Sequence, residues 1–214
     1  MSARPASLVL VVGTATEIGK TWVTCRLAEH LRGTGVAVAA RKPAQSFAPG
    51  DEVAGVTDAQ LLAAATGAAP EEVTPRHRWY AVPMAPPMAT EVLGHPPLHL
   101  RTLIDELKWP PDVGVGLLET AGAVRSPLAV DGDAVVLAAR TRPDLVLVVA
   151  DAGLGTIGSV RSAADALAGH PLVVFLNRHD EGDDLHRRNA AWLRARDRFE
   201  VCTTVETLAD RVRG

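Results

Sequence analysis

The segment that most constrains this chain is a glycine-bounded loop between two apolar patterns of different period. Residues 8–12 form a short, continuous apolar run of the kind that fits a buried parallel strand. From residue 21 to residue 31, apolar side chains recur at helical spacing. The loop between them reads Gly13-Thr14-Ala15-Thr16-Glu17-Ile18-Gly19-Lys20-Thr21. The sequence therefore predicts a strand, a tight loop and a helix in direct succession.

This order is the setting that a phosphate-binding loop requires. Backbone N–H groups at the open end of a helix carry partial positive charge and bind anions. Lys20 adds a mobile positive charge for outer phosphates, and Thr21 offers a hydroxyl that can ligate magnesium. Five residues separate Gly13 from Gly19, one more than in the usual motif, so the loop is a variant.

We expect a nucleoside triphosphate as the ligand of this loop. An ordinary strand-to-helix turn that happens to contain glycine and lysine is the alternative. The residues expected to bind ATP are Thr16, Glu17, Ile18, Gly19, Lys20, Thr21 and Trp22.

Composition limits the classes of protein to which this chain can belong. The 214 residues, 47% of them hydrophobic, suit one P-loop α/β domain over residues 1–214. The net charge of −3 argues against a general nucleic-acid-binding surface. Two cysteines make neither a disulfide framework nor a metal site. The apolar runs are too short for a membrane span, and residues 1–7 do not open a signal peptide, so we expect a cytoplasmic protein.

Strand and helix patterns alternate along the chain. Strands are expected at residues 8–12, 36–40, 113–118, 145–150, 172–176 and 199–203. Helices are expected at residues 21–31, from 57 to 67, and at 98–107, 133–140 and 185–196. A further helix is expected to follow a second glycine-rich loop with Gly153, Gly155 and Gly158 and to run to Ala168. Residues 69–97 are rich in proline and are expected to form a long functional or mobile loop. The pattern predicts an α/β fold with a mainly parallel sheet and helices on both faces.

Candidate magnesium ligands follow from this arrangement, because right-handed crossovers bring the carboxyl ends of all strands to one edge. Thr21 and Glu119 are two candidates, since oxygen ligands suit magnesium and Glu119 ends an apolar strand. Asp58 is a third candidate, although an aspartate at a helix start is equally well explained as an N-cap. Asp151 also ends an apolar strand and competes with Glu119 for the metal.

Three further polar residues lie where ligands are expected. Lys42 follows the second strand and is a candidate for catalysis, or else a surface charge. Ser46 can hydrogen-bond a small polar substrate, or only its own turn. Asn177 can read a base with its amide, or serve as a turn residue. The seven histidines show no metal-ligand spacing.

Several segments together resemble the dethiobiotin synthetase family. The loop 13–21 is similar to that family's Gly-Thr-Asp-Thr-x-Val-Gly-Lys-Thr, and residues 42–46 to its Lys-Pro-x-x-Ser/Thr. Residues 57–59, 80–87, 119–122 and 154–157 resemble further family segments in the same order. Asn177 stands where the family has its base-reading asparagine.

The resemblance implies an ATP- and magnesium-dependent ligase that makes dethiobiotin from 7,8-diaminononanoate and carbon dioxide. It implies a homodimer in which the partner subunit holds the substrate's carboxylate, with no nucleic-acid or membrane partner. By position, the resemblance assigns catalysis to Lys20 and Lys42, magnesium to Thr21, Asp58 and Glu119, the substrate to Ser46, and adenine to Asn177.

Some positions depart from the family pattern. Ala15 replaces an aspartate, and Thr120 and Ala123 replace glycines. Gly158 replaces an asparagine of the Ile-Asn-His segment, and residues 205–208 lack the family's Ile-Pro. Two alternatives therefore remain. One is a paralogous ATP-dependent ligase for another small acid, and the other is a nucleotide-binding switch without its own synthesis reaction.

Overall fold

The computed structural model describes residues 4–214, so residues 1–3 of the N-terminal stretch lie outside it. The strands are β1 Ser7–Gly13, β2 Val38–Arg41, β3 Gln45–Ser46, β4 Trp79–Tyr80, β5 Val115–Glu119, β6 Leu145–Asp151, β7 Leu172–Asn177 and β8 Val201–Cys202. The helices are α1 Lys20–Gly33, α2 Asp58–Thr66, α3 Pro70–Val73, α4 Pro86–Val92, α5 Leu100–Asp105, α6 Ala134–Thr141, α7 Thr156–Ala166, α8 Asp184–Ala195 and α9 Val205–Arg213, with a 3-10 turn at Arg76–Arg78.

Six strands form one parallel sheet in the order β2-β5-β1-β6-β7-β8. Strand β1 lies inside the sheet, because it pairs with β5 on one side and with β6 on the other. Val11 of β1 stands opposite Glu119 of β5, so the end of β5 lies beside the start of the loop after β1. The predicted parallel sheet is confirmed.

The two faces of the sheet are covered by different helices. Val9 and Val11 of β1 belong to an apolar cluster that includes Leu27 of α1 and residues of α2 and α9. Leu10 and Val12 point to the opposite face, where the cluster includes Leu137 of α6 and residues of α5. Because neighbouring strand residues alternate between faces and both faces are buried, β1 is apolar throughout its length.

The prediction of one long loop at residues 69–97 is wrong. This segment contains α3, the 3-10 turn, β4 and α4, and β4 pairs in parallel with β3 to form a small second sheet. Three of its prolines, Pro70, Pro86 and Pro87, stand in the first turns of α3 and α4, where a missing N–H costs nothing.

One helix cap and one helix near residue 214 complete the description of the fold. Asp133 caps α6 by accepting hydrogen bonds from Val135 N and Val136 N, whereas Asp131 accepts from Leu100 N. Helix α9 at the end of the chain is absent from the sequence-based prediction, and it packs on α1. Within residues 4–214, every helix is too short or too polar to traverse a bilayer.

Candidate functional site

The loop between β1 and α1 is fixed from the neighbouring strand β7. Asn177 donates a hydrogen bond from Nδ2 to the carbonyl oxygen of Ile18 at 2.9 Å. Arg178 donates to the carbonyl oxygen of Glu17 at 3.2 Å. Glu17 has a φ of 57° and Gly19 a φ of 90°, so the loop adopts a left-handed backbone at two positions. These two hydrogen bonds fix the carbonyl groups of the loop. The amides at the start of α1 have no side-chain cap.

Gly19 is required at its position for two reasons. A φ of 90° disfavours any residue with a Cβ, and an added Cβ would lie 2.2 Å from Asn177 Nδ2. We therefore expect Gly19→Ala to lower the free energy of unfolding by at least about 1–3 kcal/mol, measured by urea denaturation. ATP affinity, measured by calorimetry, should fall with it.

The matched control for this substitution is Gly33→Ala. Gly33 lies at the end of α1, and the space that a Cβ would occupy there is open, so alanine should leave stability unchanged or raise it by up to about 1 kcal/mol. Equal stability of the two variants would contradict the role given to Gly19.

Lys20 begins α1 and is a buried cation without a partner. Its exposed fraction is 7%, and within residues 4–214 no carboxylate or carbonyl pairs with its ammonium group. Burial, followed by repulsion from Lys42, lowers the pKa of Lys20 below its ordinary value. An unpaired buried ammonium at an anion-binding helix start is a site prepared for a polyanion.

Lys42 lies between two carboxylates at the end of β2. Its Nζ donates to Glu119 Oε1 at 2.8 Å and forms an ion pair with Asp58. The side chains of Lys42 and Glu119 are 4% and 0% exposed. Burial alone lowers the pKa of Lys42, but the two carboxylates outweigh that effect and raise the pKa above its ordinary value. Lys42 is therefore a charged group inside the fold and not a surface lysine.

Asp58 is free to serve the site because another residue caps its helix. Thr57 is the N-cap of α2, and its hydroxyl and the Gln60 side chain form a capping box. The interpretation of Asp58 as the N-cap is wrong, since it is the first residue of α2 and its carboxylate turns toward Thr21 and Lys42. Burial opposes ionisation of Asp58, yet the attraction of Lys42 and its hydrogen bonds lower its pKa overall.

The Thr21 hydroxyl lies among more acceptors than one proton can serve. Its Oγ1 is 2.8 Å from Asp58 Oδ1 and 2.8 Å from Glu119 Oε1. One hydroxyl hydrogen satisfies only one of these oxygens, so the group is rich in oxygen donors. Two carboxylates and a hydroxyl fit magnesium, which takes one or two carboxylates and completes its shell with water and substrate phosphates.

Two other residues complete the description of this cluster. Thr24, one helical turn after Thr21, donates a hydrogen bond from Oγ1 to Glu119 Oε2 at 2.8 Å and so helps to fix that carboxylate. Sequence reasoning missed Thr24, although its spacing places it on the same face of α1. Over the described range 4–214, no group of three or more His, Cys, Asp or Glu side chains is placed to hold a metal.

Asp151 does not join the cluster. Its carboxylate accepts hydrogen bonds from Gly153 N at 2.9 Å and from Arg178 at 3.2 Å. Strands β5 and β6 lie on opposite sides of β1. Asp151, at the end of β6, is therefore on the side of the loop away from Thr21. The structure therefore separates the two carboxylates that the sequence left equivalent, and Glu119 is the one beside Thr21.

A cavity of about 600 Å³ opens over the loop and the two lysines. Its lining residues include Thr16, Gly19, Lys20, Thr21, Lys42, Ser46, Phe47, Asp51, Val56, Asp58, Pro83, Met84, Gly122 and Ser126. Ser46 Oγ is buried, and no group in the described part of the chain hydrogen-bonds to it. One cavity thus contains both lysines, Lys20 and Lys42, together with the apolar side chains of Phe47, Val56 and Met84.

Comparisons with known proteins agree with this geometry. The model of a family described as AAA domain matches residues 7–210. An ATP-dependent dethiobiotin synthetase of Anaeromyxobacter sp. (strain Fw109-5) is 36% identical over 182 residues, which cover 82% of this chain and 78% of the relative. The enzyme of the same name from Parafrankia sp. (strain EAN1pec) is 35% identical over 167 residues, covering 78% of this chain and 68% of the relative. The chain belongs to the dethiobiotin synthetase family.

One solved structure illustrates the fold alone. The signal recognition particle receptor FtsY from Elizabethkingia anophelis superposes with a TM-score of 0.52 at 13% identity, covering 99% of this chain and 67% of that chain. This dethiobiotin synthetase family member therefore shares its sheet and helix arrangement with a protein that is distant in sequence.

The positions at which this dethiobiotin synthetase family member departs from the pattern fit the fold. Thr120 is fully buried, and its hydroxyl donates to the carbonyl oxygen of Val11 at 3.2 Å, away from the cavity. Gly122 retains a φ of 67°, and a Cβ there would lie 2.6 Å from Ser126. Gly158 lies in the first turn of α7 with open space beside it.

Asn177 has a role that sequence reasoning did not anticipate. One N–H of its Nδ2 donates to the carbonyl oxygen of Ile18, so the second N–H and the amide oxygen remain for a base. A groove of about 410 Å³ beside it is lined by Trp22, Arg178, His179 and Thr203, among others. The prediction that Asn177 reads adenine stays a prediction.

Proposed function

We propose that this chain uses ATP to close a cyclic urea from 7,8-diaminononanoate and carbon dioxide, the reaction of its family's biotin-pathway ligases. The observation that carries the proposal is the pair of buried lysines in one cavity. Within residues 4–214, Lys20 is unpaired at the phosphate loop, and Lys42 is held by Asp58 and Glu119. A nucleotide-binding switch has no evident need for the second lysine or for the apolar walls beside it.

The proposed chemistry has three steps. One amine of the substrate attacks carbon dioxide and loses a proton, which gives a carbamate. A carbamate oxygen attacks the γ-phosphorus of ATP, the bond to the β,γ-bridging oxygen breaks, and ADP leaves. The second amine attacks the carbonyl carbon of this carbamic-phosphoric anhydride, loses a proton and expels inorganic phosphate.

The residues divide this work according to their surroundings. Negative charge on the transferring phosphoryl group is stabilised by the amides at the start of α1 and by Lys20. Lys42 holds the carbamate oxygens, since its charge is fixed by two carboxylates and it lines the same cavity. Ser46 offers an otherwise unsatisfied hydroxyl near the reacting end of the substrate. Phe47, Val56 and Met84 provide an apolar surface for the alkyl chain.

Magnesium is part of this proposal. Thr21, Asp58 and Glu119 would hold it, and it would neutralise charge on the outer phosphate oxygens. We further propose a homodimer, as the family resemblance implies.

Phosphate release tests the proposed function directly. With ATP, magnesium and bicarbonate present, release should require diaminononanoate and should be matched by one cyclic urea per phosphate, detected by mass spectrometry. Excess EDTA should abolish the release, since two carboxylates and a hydroxyl need a cation to bind phosphate oxygens. Release that needs a different acid would establish the paralogous ligase, and binding of ATP with no substrate-stimulated release would establish the switch.

A further inference from the structure

One carboxylate in the cavity has no cationic partner and no place in the chemistry above. Asp51 Oδ2 accepts a hydrogen bond from Ala48 N at 3.0 Å. Within residues 4–214, no lysine, arginine or histidine forms an ion pair with Asp51. Asp58, by contrast, is neutralised by Lys42. Asp51 therefore presents an unpaired negative charge to the cavity.

The neighbours of Asp51 show where in the cavity its charge lies. Its hydrogen bond to Ala48 ties it to the segment that follows Ser46, on the wall formed by Phe47 and Val56. Glu17 also lines the cavity, but it belongs to the phosphate loop instead. Asp51 is partly exposed, so its carboxylate is accessible to a ligand in the cavity.

A diamine presents the matching chemistry. An isolated primary alkylamine has a pKa of about 10.4 in water, so such a substrate arrives with at least one amine protonated near neutral pH. Lys20, whose ammonium is unpaired among the described residues, repels this ammonium group, because both positive charges share one cavity. A carboxylate in the same cavity offsets this repulsion and selects a cationic ligand over a neutral one.

We propose that Asp51 is a substrate-binding residue that recognises an ammonium group of the diamine. The inference rests on the proposed function for the identity of the diamine. Asp51 captures and orients the amine on entry, and the ammonium proton leaves before that nitrogen attacks. Asp51 thus acts on substrate affinity more than on the phosphoryl transfer.

The test is Asp51→Asn, compared with Glu52→Gln in otherwise unchanged protein. Asparagine keeps an oxygen that can accept from Ala48 N, so the turn is retained while the charge is lost. Glu52 pairs with Arg76 and does not line the cavity, so its substitution makes the same chemical change one residue away. Titration calorimetry with diaminononanoate measures binding, and phosphate release measures KM and kcat.

We expect Asp51→Asn to weaken diamine binding and raise its KM by about 10- to 100-fold, with the KM for ATP unchanged and kcat within about threefold. Glu52→Gln should bind and turn over the diamine like the wild type. Diamine affinity that is the same in both variants and the wild type would overturn the role of Asp51. A wild type that binds the diamine without releasing phosphate would instead refute the proposed function, and calorimetry would still decide whether Asp51 holds the amine.

Discussion

Replacing Lys42 with methionine is expected to lower kcat for phosphate release by about 10²–10³-fold. The buried ammonium is the positive charge closest to the cluster of Asp58, Glu119 and Thr21, and no other described cation pairs with Glu119. ATP affinity should change less than tenfold, because Lys20 and the loop amides remain. Rapid-quench measurement of phosphate release, together with calorimetric binding of ATP, separates the two effects.

The same substitution should also destabilise the fold. Methionine leaves the fully buried carboxylate of Glu119 without its cation, which costs about 3–5 kcal/mol of unfolding free energy. The double variant Lys42→Met, Glu119→Gln removes both charges and should regain most of that loss while staying inactive. Recovery of stability in the double variant would show that the loss in Lys42→Met comes from the unpaired Glu119 carboxylate. Turnover by Lys42→Met within tenfold of the wild type would refute its catalytic role.

Replacing Lys20 with methionine is expected to have the opposite pattern of effects. ATP affinity should fall by about 100-fold or more, because a desolvated charge that faces the phosphates is lost. Stability should stay the same or rise, since the buried ammonium has no partner in the described chain and methionine removes its desolvation cost. Calorimetry and thermal denaturation of the same preparation test both statements, and a lowered Tm with intact ATP binding would contradict them.

The pH dependence follows from the sign of the Lys20 shift. Burial and Lys42 lower the pKa of Lys20 from its ordinary value of 10.5, so the protonated form favours the unfolded chain. This destabilisation is fully present below the lowered pKa and disappears as the pH rises toward 10.5. ATP affinity should decline over the same window, because the neutral amine no longer attracts phosphate. Affinity that rises with pH there would contradict the assignment.

The strand-loop-helix start of the chain was predictable because its signals are local. One stretch of sequence contains the apolar run of β1, the two glycines and the helical spacing of α1. Each of these patterns depends only on the residues of its own segment. Residues 69–97 were not predictable in the same way. A proline stops a helix at most positions but fits its first turn, so α3 and α4 look like loop in the sequence.

Some features of the site also needed neighbours that lie far away in sequence. Gly19 is explained by its own φ, but the overlap with Asn177 that makes it irreplaceable comes from β7. Asp58 and Thr57 are adjacent and both can cap a helix. The capping box with Gln60 shows that Thr57 caps α2, and only the positions of Thr21 and Lys42 show that Asp58 faces the cavity.

By itself the sequence determined that a phosphate loop, two lysines and several strand-end carboxylates share one edge of a parallel sheet. Which carboxylate meets Thr21 was decided by the tertiary structure alone. Glu119 and Asp151 end equally apolar strands, but β5 lies between β2 and β1, whereas β6 lies on the far side of β1. The physical reason is that strand order is set by how the crossover helices pack on the two faces of the sheet, and no local pattern records it.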